Sequence, residues 1–98
     1  MAKRDSASAR ASTAASWAER YQAAYGAAEQ EIAGLRPSEA ILYHEGNLVV
    51  DVGNDPAVEG RAAAFRDAAE ADRGITAQRR LGFEHYQYIF WRARHDHR

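Results

Sequence analysis

The stretch HYQYIFW, His85 to Trp91, alternates its side chains with a period of two, and this alternation sets the fold. In an extended chain Tyr86, Tyr88 and Phe90 fall on one side, and His85, Gln87, Ile89 and Trp91 on the other. A continuously aromatic side has to be buried, so the even positions are predicted to face a core. The odd side mixes an indole, an aliphatic chain and polar groups. The wider segment Phe83 to Arg98 holds five of the ten aromatic residues, three arginines and three of the four histidines. Three uses compete for it: a core strand, a nucleic-acid platform, or a surface for another protein.

Working outward from this strand, two helices are expected to supply the cover. Trp17, Tyr21, Tyr25, Ala28, Ile32 and Leu35 recur at helical spacing, and Ser16 with Glu19 forms an S-x-x-E capping box, so helix one is predicted over about 17 to 33. Gly34 followed by Leu35 and Pro37 reads as a left-handed glycine stop. Asp55 before Pro56 reads as the N-cap of helix two, with Val58, Ala62, Phe65 and Ala69 as its inner stripe and Gly74 with Ile75 as its end. A short helical turn is expected over Thr76 to Leu81.

Glu39 to Val52 reads as a β-hairpin, with EAILYHE and LVVDV as strands and Gly46-Asn47 at the turn. Ile41, Tyr43, Leu48, Val50 and Val52 then share the dry side, and Leu42, His44, Val49 and Asp51 the other. The whole predicts a small single α+β domain in the order α-β-β-α-β. Its three-stranded, mostly antiparallel sheet has the order 2-1-3, with both helices on one face.

Composition is consistent with this size. Ninety-eight residues make one domain, expected over 16–98 behind a flexible tail at 1–15 that has no bulky side chain. Leu, Ile, Val and Phe together number only 15 against 22 alanines, a thin core that favours further burial against a partner or a second copy, so a homodimer is plausible. There are no cysteines, which removes disulfides and thiolate chemistry. No apolar run approaches the roughly 20 residues of a membrane helix, and the start lacks an apolar signal core, so a cytoplasmic protein without membrane contact is expected.

Net charge is −1, with basic ends and an acidic middle. His44, Asp51 and His85 could converge on the mixed face, giving an oxygen and nitrogen ligand set for a metal-dependent enzyme, but no ligand spacing fixes them and ordinary polar surface is the better explanation. The serines lack a nucleophile setting and no phosphate loop is present, so neither enzyme activity nor a cofactor or resident metal is expected. Arg79, Arg80, Arg92, Arg94 and Arg98 could gather into a nucleic-acid surface beside Trp91, although the net charge argues against it.

The preferred expectation is a non-enzymatic module, a small inhibitor or adaptor of the kind mobile elements carry, that binds a larger protein or assembly. Its contact residues would be Trp91, Ile89, His85, Leu42 and His44 on the uncovered sheet face, rimmed by Arg92 and Arg94.

Overall fold

The computed structural model describes residues 6–94, with side chains from residue 16 onward. The chain runs α1 (Ser6–Gly34), β1 (Ala40–Gly46), α2 (Leu48–Asn54), α3 (Pro56–Glu70), β2 (Gly74–Gly82) and β3 (His85–Arg92). The class is α+β as expected, with three helices rather than two and a three-stranded open antiparallel sheet in the order β1-β3-β2. The aromatic strand is therefore the central one. Its adjacency to β1 agrees with the expected order, but the expected order put it at an edge and strand one in the centre, whereas it stands between β1 and β2, and the strand expected at 48–52 is absent from the sheet.

Residues 1–5 of the expected tail lie outside the described residues. From Ser6 the backbone is already helical, so Ser16 and Glu19 do not mark a helix start. Alanine has the highest helix propensity of any residue, and an alanine-rich segment continues a helix without needing bulky side chains. Neither helix stop uses glycine in the left-handed region. The left-handed residue after α3 is Asp72, where Arg73 N–H bonds Ala68 O at 2.9 Å and Asp72 N–H bonds Ala69 O at 3.0 Å, closing a Schellman motif. Gly74 instead opens β2.

The segment LVVDV forms α2, which overturns the predicted hairpin. Asn47 is its N-cap, accepting from Val50 N–H at 3.4 Å, and the Tyr88 hydroxyl accepts from Leu48 N–H at 3.1 Å. Two helix-end donors are thus satisfied, and Asp51 adds a carboxylate to the first turn. Seven residues do not hold a helix alone, so contacts outside the segment decide against the strand preference of its valines. Thr76 to Leu81 corrects in the opposite direction, lying in β2 instead of a helical turn.

Helix α3 begins as predicted, with Pro56 in its first turn and the Asp55 carboxylate accepting from Ala57 N–H at 2.9 Å. Its buried stripe is rotated from the expected one, to Pro56, Gly60, Ala63, Ala64, Phe65 and Ala68. Small residues let α1 approach closely. A Cβ on Gly60 would stand 2.2 Å from the Tyr21 carbonyl oxygen, so only glycine fits at that crossing. Ala28 and Ile32 of α1 join Ala64, Phe65 and Ala68 in the core.

Phe65 connects the helices to the sheet. Its ring stacks on Tyr43 of β1 at 4.7 Å and meets Phe90 of β3 edge-on at 5.3 Å, and both Phe65 and Phe90 are fully buried. Tyr88 is buried beside them and Tyr86 is partly buried, so the even side of β3 faces the core as its alternation predicted. Burial pushes the Tyr43 phenol above its ordinary pKa, with the nearby Tyr88 a smaller cause.

Phe65→Ala should cost about 3–5 kcal/mol, because the cavity opens between all three layers, and chemical denaturation measures it. A second outcome concerns Tyr25, whose hydroxyl donates to Asp67 at 2.5 Å. That bond, with burial and neighbouring carboxylates adding, pushes the phenol up to about 12. A raised folded value means that the contribution is complete below the unfolded value of about 10 and is lost as pH rises through the folded one. Spectrophotometric titration should show a late-ionising tyrosine that disappears in Tyr25→Phe.

Candidate interaction surface

All three helices contribute to the core on the Tyr86, Tyr88 and Phe90 side of the sheet. Among the described residues the opposite face carries no helix. Register assigns its rows: Ala40, Trp91 and Ile75 lie side by side, then Leu42, Ile89 and Ala77. Glu45, Gln87 and Arg79 form the next row, with His85 beyond. One end of the face is thus apolar and the other polar. Leu42 is 45%, Ile75 65% and Trp91 39% exposed, so three large apolar side chains of neighbouring rows meet water together. Such a contiguous group differs from the isolated exposed leucines of ordinary surfaces.

At the apolar end the face runs into a cleft of about 600 Å³ lined by Trp91, Ile75, Ser38, Asp72, Arg92 and Arg94, among others. Its walls are the loops that follow α1 and α3. Ser38 and Asp72, two of the three non-glycine residues with positive φ in the described chain, both line it. Backbone bonds fix these loops to the sheet: Ser38 N–H to Arg92 O at 3.0 Å, and Ala93 N–H to Arg73 O at 2.9 Å. The cleft therefore offers an indole and an isoleucine with one aspartate and two arginines among its lining residues.

Of the residues expected on this face, Trp91, Ile89, His85 and Leu42 are there. His44 is not. The β1–β3 register shifts between Leu42 and His44, so that His44 lies opposite Tyr88 on the helix side. Tyr43 is the extra residue of this bulge, and bulges re-aim the side chains that follow. Its carbonyl accepts from Arg61 Nε at 2.9 Å, and Arg61 also reaches Glu31 at 2.9 Å. Turned inward, His44 places Nε2 2.7 Å from Asp51 Oδ2 and fastens α2 to β1.

His85 stays on the outer face, where Nε2 lies 2.9 Å from Glu45 Oε2. The proposed set of His44, Asp51 and His85 is therefore split between two faces. Among the described residues no group of three or more His, Cys, Asp or Glu side chains is placed to hold a metal.

The basic residues do not gather either. Arg79 and Arg80 point to opposite faces near the β2–β3 turn, whereas Arg92 lies opposite Gly74 at the other end of the sheet, about 20 Å away at the usual strand rise. Arg92 donates from Nη1 to the Ile32 carbonyl at 2.7 Å, satisfying one of the last-turn acceptors of α1, so it ties β3 to a helix end and is not a simple rim residue. Arg94 is exposed at the cleft. Arg98 lies outside the described residues, with His95, Asp96 and His97.

Ile75, Ala77, Ser38 and Asp72 were missed as contributors. Ile75 and Ala77 had a readable signal: GITAQRRLG lies between glycines, alternates Ile75 and Ala77 with Thr76 and Gln78, and is followed by the two-residue turn Phe83-Glu84 before a certain strand. Among the described residues no helix is long and apolar enough to cross a membrane. No family model, curated protein or solved structure matches the chain.

Gly46 tests the inward histidine. Its φ is +132°, and a Cβ there would stand 2.8 Å from Asp51 Oδ2, so Gly46→Ala should separate His44 from Asp51 and loosen α2. The expected cost is about 1–3 kcal/mol, from a strained left-handed residue plus a lost hydrogen bond. Faster amide exchange confined to residues 47–55, with β3 still protected, is the matching observation.

Proposed function

We propose that this chain is a non-enzymatic protein-interaction module, an inhibitor or adaptor that binds a larger protein or assembly through the uncovered face of its sheet. The observation that carries this reading is one-sided coverage: with every helix on the other side, Leu42, Ile75 and Trp91 stand together in water beside an open cleft. Interface energy concentrates in a few large anchors with a polar surround, and tryptophan is the commonest of them. Here the anchor would be Trp91, with Leu42 and Ile89 as its apolar neighbours and Arg94, Asp72, His85 and Glu45 as the rim. A partner presenting one apolar side chain to the cleft, with polar groups at its edge, suits this surface.

The chemistry of the remaining polar groups is consistent with a binding role. His44 is engaged in fastening α2, Arg92 in closing α1, and Arg61 in holding the Tyr43 carbonyl and Glu31, all structural tasks.

Matched baits test the proposal. Trp91→Ala should keep its circular dichroism spectrum and melting behaviour while losing a partner captured from the native host by the wild-type chain, with affinity falling about 30-fold or more for a residue worth 2 kcal/mol. Val49→Lys, on the exposed side of α2, should retain it. Equal capture by all three baits would reject the face as the binding surface, and unfolding of Trp91→Ala would assign the indole a structural role.

A further inference from the structure

The two edges of the sheet are treated differently. β1 is guarded: the bulge at Tyr43 interrupts its ladder, and the Arg61 guanidinium occupies the freed carbonyl. Bulges and covering side chains are recognised ways of keeping an edge from pairing with another chain. β2 is longer, nine residues from Gly74 to Gly82, and no described residue outside β3 hydrogen-bonds the backbone of 75–81. It carries no proline. Thr76, Gln78 and Arg80, which point to the helix side, are exposed, as are Ile75, Ala77 and Arg79 on the outer side, so the helices leave this edge open to water.

We infer that β2 is a pairing edge and that its occupant is the β2 of a second copy, added antiparallel about a twofold axis at Ala77. Charge excludes two positions of the axis, and the apolar row favours Ala77. An axis at Arg79 or Arg80 would set two guanidinium groups face to face, which is unfavourable in a cross-strand pair. Moving it to Ala77 sets each Arg79 opposite an Ile75, whose exposed side chain can lie along the arginine stem, and Thr76 opposite Gln78. Residues of like parity then meet, so the two outer faces lie on the same side and the sheets join into one of six strands. Twofold pairing also closes the assembly, whereas head-to-tail addition of β2 to the guarded β1 would need the Arg61 bond broken. This inference does not rest on the proposed partner-binding face, although the joined sheet would present that face twice.

The absence of cysteine allows a direct test in the full chain. Ala77→Cys places a single thiol on each copy at the axis, where facing Cα atoms of an antiparallel pair are within disulfide range. Mild oxidation should give a covalent dimer about tenfold or more faster than in Val49→Cys, since paired strands hold the thiols at a high effective concentration. Sizing with light scattering should show a dimer for the wild-type chain and a folded monomer for Ala77→Lys, which opposes two like charges at the axis.

A wild-type chain that stays monomeric up to about 1 mM would overturn the inference. A dimer that survives Ala77→Lys, or cysteine pairing no faster at position 77 than at 49, would overturn it equally. Trp91→Ala should leave the dimer intact. A dimer lost in Trp91→Ala but kept in Ala77→Lys would move the contact from the edge to the face.

Discussion

Phe65 holds this fold together by meeting two strands at once. It lies flat on Tyr43 and edge-on to Phe90, and those two residues belong to strands that are neighbours in the sheet. Only 15 residues of the chain are Leu, Ile, Val or Phe, so the core cannot be built from aliphatic bulk. Aromatic rings supply the volume instead, and alanines on α1 and α3 bring the helices close enough for the rings to be sealed. The consequence is directional. Once Phe65, Phe90, Tyr43, Tyr88 and Ile32 are spent on one side of the sheet, the described residues hold no further element with which to cover the other.

What the sequence made legible were features set by neighbouring residues. The alternation of Tyr86, Tyr88 and Phe90, the stripe from Trp17 to Leu35, and the Asp55-Pro56 start of α3 each depend on a few adjacent side chains, and each is present. The exposure of Leu42 and Trp91, with Ile89 half-buried between them, followed from counting the available cover. What was not legible depended on distant partners. LVVDV has strand-forming residues, yet it becomes a helix because Tyr88, forty residues on, accepts from its first N–H, and because His44 reaches Asp51. The Schellman closure at Asp72 in place of Gly74 is a case where a charged residue takes the left-handed position usually given to glycine.

The bulge at Tyr43 shows how one residue can redistribute a site. A strict period of two sends His44 outward with Leu42, toward His85. One extra residue shifts the parity of everything after it: His44 turns in to Asp51, and Glu45 takes the outward place and meets His85. The two histidines become half of two separate acid-base pairs, one bracing a short helix and one spanning the polar end of the open face. The same bulge frees the Tyr43 carbonyl, and Arg61 fills it, which is how β1 comes to be the guarded edge.

A thin core also changes what binding would mean for this chain. Fold stability is a small difference between large terms, and a single layer of rings over an open sheet leaves little margin. Any partner that binds only the folded state stabilises it by mass action, in proportion to the logarithm of its concentration over its dissociation constant. The exposed face and the open β2 edge then act on the same quantity as the Phe65 cluster. Covering Leu42, Ile75 and Trp91 from outside would complete, with a second chain, the enclosure that the alanine-rich helices provide on one side only.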